Sequence, residues 1–125
     1  MRVLFSGGRG YRDLAVIGRV MDLIPDVTHV IHGGTCGADR LSGVVARLRC
    51  LPCTVYPPNW SRHGKQAIPI NNTKMLRYGK PDIAVVMPGG WQTRDMATKA
   101  EEAGVKIIMV DKQGKPVASL DPTAP

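Results

Sequence analysis

The 125-residue chain predicts an α/β fold: one Rossmann-like domain whose parallel five-stranded sheet, ordered 3-2-1-4-5, carries helices on both faces. Three observations predict it. Short β-branched apolar runs alternate with stretches whose apolar residues recur at helical spacing, the pattern of successive βα units. Glycine turns follow the first, second and fourth of those runs, each at the mouth of a helix. Right-handed crossovers, with a reversal after the third strand, then give the strand order. The length suits a single domain with a real core, read as a nucleotide-binding unit over residues 1–118 with a flexible tail over 119–125.

Arg2–Ser6 reads as the first strand and ends in Gly7-Gly8-Arg9-Gly10-Tyr11. Ile17, Val20, Met21 and Ile24 fall at i, i+3, i+4 and i+7, so a helix runs from Asp13, its cap, to Ile24 and stops at Pro25. Thr28–His32 is the second strand. It leads through Gly33–Asp39 into a helix with Leu41, Val44, Val45 and Leu48 on one face. Cys53–Tyr56 is the third strand, Pro57–Pro69 reads as a loop, and Asn71 or Asn72 caps a short helix reaching Tyr78. Asp82–Met87 is short and β-branched enough for a buried parallel strand. Pro88-Gly89-Gly90 turns it into a helix capped by Thr93, with Asp95 in the first turn and Gly104 as its stop. Met96, Ala97, Ala100 and Ala103 form one face of that helix. Lys106–Val110 is the fifth strand, Gly114–Val117 turns back as a small edge strand, and the Pro-rich end reads as frayed.

The net charge of +7 is unevenly spread. Between Asp39 and Asp82 there is no acid, while Arg40, Arg47, Arg49, Arg62, Lys65, Lys74, Arg77 and Lys80 all fall there. Such a block attracts phosphates of a nucleotide or a nucleic acid, or forms the solvated face of a basic protein. No run approaches the roughly 20 apolar residues of a membrane span, and the start lacks a signal-peptide pattern. A cytoplasmic protein without a membrane partner is expected. Cys36, Cys50 and Cys53 do not make a disulfide framework, and Cys50-Leu51-Pro52-Cys53 lacks the second pair of a zinc site. Cys50 and Cys53 therefore read as buried thiols, and Cys36, in a glycine loop, as the exposed one. The three histidines show no metal spacing, so neither metal nor cofactor is expected.

In a doubly wound sheet, ligands bind beyond the carboxyl ends of the strands where the order reverses, here between the first and fourth. Gly7–Tyr11 should face Pro88–Thr93 there, with Gly33–Asp39 alongside. Main-chain amides at Gly7, Gly8, Gly33, Gly34, Gly37, Gly89 and Gly90, next to Pro88 and helix mouths, suit phosphate oxygens. Arg9 matches a phosphate. Asp39 and Asp95 either accept ribose hydroxyls or cap their helices. Tyr11 and Trp60 offer rings to a base, Trp60 serving otherwise as a loop anchor. Thr35, Lys65, Asn71 and Asn72 complete a polar rim. No G-x-G-x-x-G follows the first strand, no P-loop motif is present, and no G-x-S-x-G elbow occurs.

Several motifs carry a resemblance: Gly7-x-Arg9-x-Tyr11-x-Asp13, His32-Gly33-Gly34-x-x-Gly37-Ala38-Asp39, Trp60-x-x-x-Gly64-Lys65-x-Ala67, Pro69-Ile70-x-Asn72 and Pro88-Gly89-Gly90-x-x-Thr93-x-Asp95-Met96. In this order, over roughly residues 2–110, the chain resembles the YspA-type branch of the SLOG superfamily, found in bacteria and phages. The wider superfamily includes LOG-type nucleoside-monophosphate phosphoribohydrolases, the DNA-processing protein DprA, and sensor domains for NAD- or ADP-ribose-derived signals. The resemblance implies a nucleotide-type ligand and a homodimer or higher homo-oligomer.

Two departures bear on chemistry. The LOG loop continues to Gly-Thr-x-x-Glu with a catalytic glutamate, whereas Gln92 and Met96 stand at the corresponding positions. The LOG arginine that precedes this strand's helix is also missing, with Asn71-Asn72 there instead. Loss of such charged groups costs orders of magnitude in rate. The leading expectation is a sensor or sequestering protein without catalysis. The alternatives are a nucleotide N-glycosidase, with Asp95 as its only weak catalytic candidate, and DprA-like single-stranded nucleic-acid binding, which scarce aromatics disfavour.

Overall fold

The computed structural model describes residues 1–35 and 37–120; Cys36, with its expected exposure, and residues 121–125 of the expected tail lie outside the described residues. The elements are β1 (Arg2–Ser6), α1 (Leu14–Asp22), β2 (His29–His32), α2 (Ala38–Leu48), β3 (Cys53–Val55), α3 (Trp60–His63), α4 (Ala67–Gly79), β4 (Ile83–Val86), α5 (Trp91–Glu102), β5 (Lys106–Val110) and β6 (Pro116–Leu120). The strands form one sheet ordered β3-β2-β1-β4-β5-β6. The first five run parallel in the order read from the sequence. A sixth strand extends that sheet, because β6 pairs antiparallel with β5. Asp111 makes that reversal: its Oδ1 accepts the amides of Gln113 and Lys115, both at 2.9 Å, and Gly114 turns at φ 83.

The central strand alternates its side chains between two cores, as a strand buried on both faces must. Val3 and Phe5 of β1 join Val16, Ile17, Val20 and Met21 of α1 and Val45 and Ala46 of α2 on one face. Leu4 joins Met75 of α4 and Met96 and Ala100 of α5 on the other. Phe5, Leu4 and Ile17 are completely enclosed. Truncating Phe5 to alanine would cost about 3–5 kcal/mol.

Helix ends follow local chemistry, with instructive shifts. Asp13 caps α1 through a 3.1 Å bond from the Val16 amide, as its sequence suggests. Thr93 does not cap α5. Gly90 is the N-cap, its carbonyl accepting the amides of Thr93 and Arg94 at 3.2 Å each. Thr93 is thus a buried first-turn residue, and Asp95 lies beyond that first turn. The 57–69 stretch is not all loop, for Asn59 caps α3 and a 3-10 turn at Gly64–Gln66 runs straight into α4. Pro69 falls in the first turn of α4, where its missing N–H is harmless. Asn71 and Asn72 are therefore interior helix residues and not caps.

The buried stripe of α2 is also rotated from expectation. Ala38, Asp39, Ser42, Val45 and Ala46 face inward, while Leu48 is 72% exposed. Ser42 is tolerated inside because its hydroxyl donates to the Asp39 carbonyl at 2.6 Å. Ala103, read as part of the apolar face of α5, is exposed as well. Cys50 and Cys53 are free and exposed, not buried. Cys50 turns the chain at φ 56, and Cys53 lies on the short marginal strand β3. No helix among the described residues is long and apolar enough to cross a membrane.

Candidate functional site

The turn after β1 is the hub of the carboxyl-end rim. Gly8 donates its amide to the Pro88 carbonyl at 2.8 Å, joining the β1 and β4 turns. Its own carbonyl accepts the amides of Tyr11 at 3.2 Å and Ala38 at 3.3 Å, the latter from the mouth of α2. The turns following β1, β2 and β4 thus meet, with Arg9 and Gly90 on the same rim.

Glycine is required here mostly for turn-to-turn approach. A Cβ on Gly7 would stand 2.5 Å from the Ala38 Cβ and 2.8 Å from that of Met87. Gly37, at φ 78, would drive a Cβ into the carbonyls of Gly8 and Arg9. A Cβ on Gly89 would meet the Thr93 hydroxyl and the Gly8 amide. Gly90, by contrast, lies open apart from the Gln92 side chain. The amides of Gly89, Gly90, Trp91 and Gln92 have no backbone acceptor among the described residues, so α5 presents an anion-seeking N-terminus.

Asp39 is the internal brace of this rim. Its Oδ2 accepts the Gly33 amide at 3.1 Å. The Thr35 side chain and the Gly7 and Asp39 amides also favour its charged form, yet burial outweighs them and pushes its pKa up to about 6. Asp39 therefore holds two turns together instead of facing outward. Gly34, at φ 72, donates to His32 Nδ1 at 3.0 Å.

The cations and rings are arranged differently from a simple base-stacking platform. The Arg9 guanidinium carbon lies 5.4 Å from the centre of the Trp60 ring, spanning from the β1 turn to α3. Trp60 remains 46% exposed. Tyr11 packs against the α1–α2 core, and its hydroxyl is buried without a partner. Its pKa is raised first by burial and then by Asp13. Thr93 Oγ1 is likewise buried and unpartnered. Lys65 is exposed on the 3-10 turn.

Asn71 and Asn72 are buried cross-braces, Asn71 lying beside Gly33 of the β2 turn. Asn71 Nδ2 donates to the Tyr56 carbonyl, and Asn72 Nδ2 donates to the Gln92 carbonyl at 3.2 Å and Asp95 Oδ2 at 3.0 Å. Asp95 also pairs with Lys99 at 3.1 Å. Its carboxylate is thereby engaged within the α4–α5 layer.

An open hollow of about 800 Å³ flanks the joined β1 and β4 turns; Gly8, Gly10, Tyr11, Asp13, Pro88 and Lys112 are among its walls. A smaller one of about 290 Å³ lies between Arg9, Arg12, Gly37 and Arg40. Lys112 and Arg12 were not among the residues singled out as binding candidates, and Arg40 was read only as part of the basic block. Lys112 follows directly on the carboxyl end of β5, so the rule that ligands bind beyond strand ends points to it. Among the described residues no group of three or more His, Cys, Asp or Glu side chains is placed to hold a metal ion.

Residues 1–63 match the YspA, cpYpsA-related SLOG family, a span that holds the β1 and β2 turns. Gene 61 protein of Mycobacterium phage D29 is 32% identical over 121 residues, covering 86% of this chain and 94% of that protein. The chain belongs to the YspA, cpYpsA-related SLOG family.

Proposed function

We propose that the protein binds a nucleotide or an ADP-ribose- or NAD-derived ligand on this rim and acts as a sensor or sequestering protein. Family membership associates the chain with nucleotide-related ligands in general. The observation that carries the finer reading is the meeting of three turns at Gly8, beside unpaired α5 amides and the Arg9 guanidinium. Phosphate oxygens take the amides of Gly89, Gly90 and Trp91 together with Arg9. The Thr93 and Tyr11 hydroxyls, buried and unpartnered, are donors for a ligand that reaches them. Trp60 supplies a ring beside the cation. Asp39 shapes the site from within, and Asp95 is engaged by Lys99 and Asn72.

The test is a thermal-shift panel of nucleotides, NAD, ADP-ribose and cyclic dinucleotides at millimolar concentration. A ligand at 100 times its Kd adds about 2.7 kcal/mol, a rise of several degrees. Absence of any shift across the panel would refute the reading. Incubation with AMP, followed by assay of free base and ribose 5-phosphate, separates binding from N-glycosidic cleavage. Release of base in proportion to protein would replace the proposal with the hydrolase reading.

A further inference from the structure

A third hollow, of about 480 Å³, lies between α2 and the β3 margin of the sheet, with His32, Arg40, Gly43, Arg47, Cys53 and Val55 among its walls. That volume falls within the range of about 300–1,000 Å³ that small-ligand pockets occupy. Arg40 and Arg47 stand seven residues apart on one helix. Two turns of helix put them on the same side, about 10 Å apart at their Cα atoms. Neither forms an ion pair among the described residues. No acid lines the hollow, and Asp39, the nearest in sequence, is turned inward to Gly33.

His32 gives the hollow a directed donor. It is 6% exposed, and its Nδ1 accepts the Gly34 amide at 3.0 Å. In the neutral ring the proton is then on Nε2. That nitrogen makes no hydrogen bond among the described residues. It lies against Gly43, where a Cβ would come within 2.6 Å of it, so the glycine leaves the ring edge room beside the arginine-bearing helix.

We infer that this hollow is a second oxyanion site, taking one phosphate group between the guanidinium groups of Arg40 and Arg47 with His32 Nε2–H as a third donor. The phosphate belongs to inorganic phosphate or to a small monoester. Two forked cations and a neutral N–H match its oxygens in number and charge. Arg40 also borders the smaller hollow beside Arg9, but neither Arg9 nor the α5 amides line this one, so the proposal stands independently of the rim contacts proposed above.

The test titrates the 125-residue chain, labelled with nitrogen-15, with inorganic phosphate and separately with AMP. It follows the imidazole resonances and the alkylation rate of Cys53 resolved by fragment mass spectrometry. Cys53 lines the hollow and Cys50 does not, so Cys50 serves as reference. Phosphate is expected to shift His32 Nε2 and to slow alkylation of Cys53 but not of Cys50. Arg47→Ala and Arg40→Ala should each weaken phosphate about ten-fold or more at His32, and Lys74→Ala, which removes an exposed cation of α4 outside both sites, should leave it unchanged. Both arginines are exposed, so the variants keep the core intact. Equal affinity for phosphate and AMP assigns the site to free phosphate, and tighter AMP to a monoester; either sustains the proposal. Unchanged phosphate binding by the Arg40→Ala/Arg47→Ala double variant would overturn it, as would shifts confined to Gly8, Gly89 and Gly90. A single-stranded oligonucleotide that displaces phosphate with a steep salt dependence would also overturn it, in favour of a nucleic-acid surface. Loss of AMP binding at Arg9 with phosphate still held at Arg47 would sink only the rim reading.

Discussion

Replacing Asp39 tests the idea that one buried carboxylate locks two turns of the rim together. The side chain is 6% exposed and accepts the Gly33 amide, with the Gly7 amide and Thr35 side chain also turned toward it. Asp39→Ala leaves these donors without their acceptor, and each buried unsatisfied group costs about 1–3 kcal/mol. A net loss of about 3–4 kcal/mol is expected, a large part of the roughly 5–15 kcal/mol that stabilises a domain. In urea this lowers the unfolding midpoint by about 1–2 M.

The pH dependence is sharper still. Burial raises the folded pKa from 3.8 to about 6. Between those values the folded chain holds a proton that the unfolded chain has released. This contribution is present in full below pH 3.8 and is lost as pH rises through about 6, amounting to about 3 kcal/mol. Wild type alone cannot isolate it, since burial lowers the His32 pKa and so removes stability as pH falls below 6.5. Asp39→Asn, which has no ionisable group there, provides the reference. Stability of wild type minus Asp39→Asn should fall by about 2–2.5 kcal/mol from pH 4 to pH 7. A flat difference, or one rising with pH, would refute the buried-carboxylate account, and so would an Asp39→Ala variant within 1 kcal/mol of wild type.

Other substitutions probe the rim separately. Arg9→Ala removes a cation whose stacking on exposed Trp60 is worth only about 0.5–1 kcal/mol; melting should shift by a few degrees at most, while affinity for any ligand found in the panel drops about ten-fold. Gly37→Ala places a Cβ 2.6 Å from the Arg9 carbonyl oxygen at φ 78, and should cost more than about 2 kcal/mol by urea unfolding, whereas Gly10→Ala, with nothing within 4 Å, should cost less than about 1 kcal/mol. Thr93→Val deletes a buried hydroxyl that has no partner. The unliganded melting temperature should hold or rise, and a fall of more than about 1 kcal/mol would show that the hydroxyl is satisfied without ligand.

The sheet and its rim were legible because β-branched runs and glycine turns are local signals. The order of the first five strands follows from handedness and one reversal, and the convergence of the turns on Gly8 follows from that order. What each polar residue does inside the rim was not legible. Asp39 and Asp95 read equally well as ribose acceptors or helix caps, because sequence spacing cannot say which amide a carboxylate will reach. Thr93 looked like a cap because it is a threonine before an amphipathic run, yet Gly90 starts α5 three residues earlier. Pro69 read as the end of a loop, though the first turn of α4 accommodates it and Asn71 and Asn72 fall inside the helix. The exposure of Cys50 and Cys53 depends on β3 lying at the sheet margin, a property of the whole topology.

The positions where this chain departs from the LOG enzymes it resembles have acquired mechanical roles. Met96, standing where those enzymes carry a glutamate, is completely buried among Leu4, Ala84 and Ala100 in the α4–α5 core. A carboxylate would fit there only with the desolvation cost of an enclosed charge. Asn71 and Asn72 tie α4 to the chain after β3 and to the first turn of α5. Asp95 completes the same layer through Asn72 and Lys99, whose ammonium also donates to the Pro69 carbonyl at 2.7 Å. These bonds fix the direction of α5, and with it the aim of the Gly89–Gln92 amides. A neutral amide at Asn72 serves both neighbours at once, donating to a main-chain carbonyl and to a carboxylate. In this chain the α4–α5 layer therefore sets the orientation of the proposed binding edge from behind, while Arg9 and the turn amides form the edge itself.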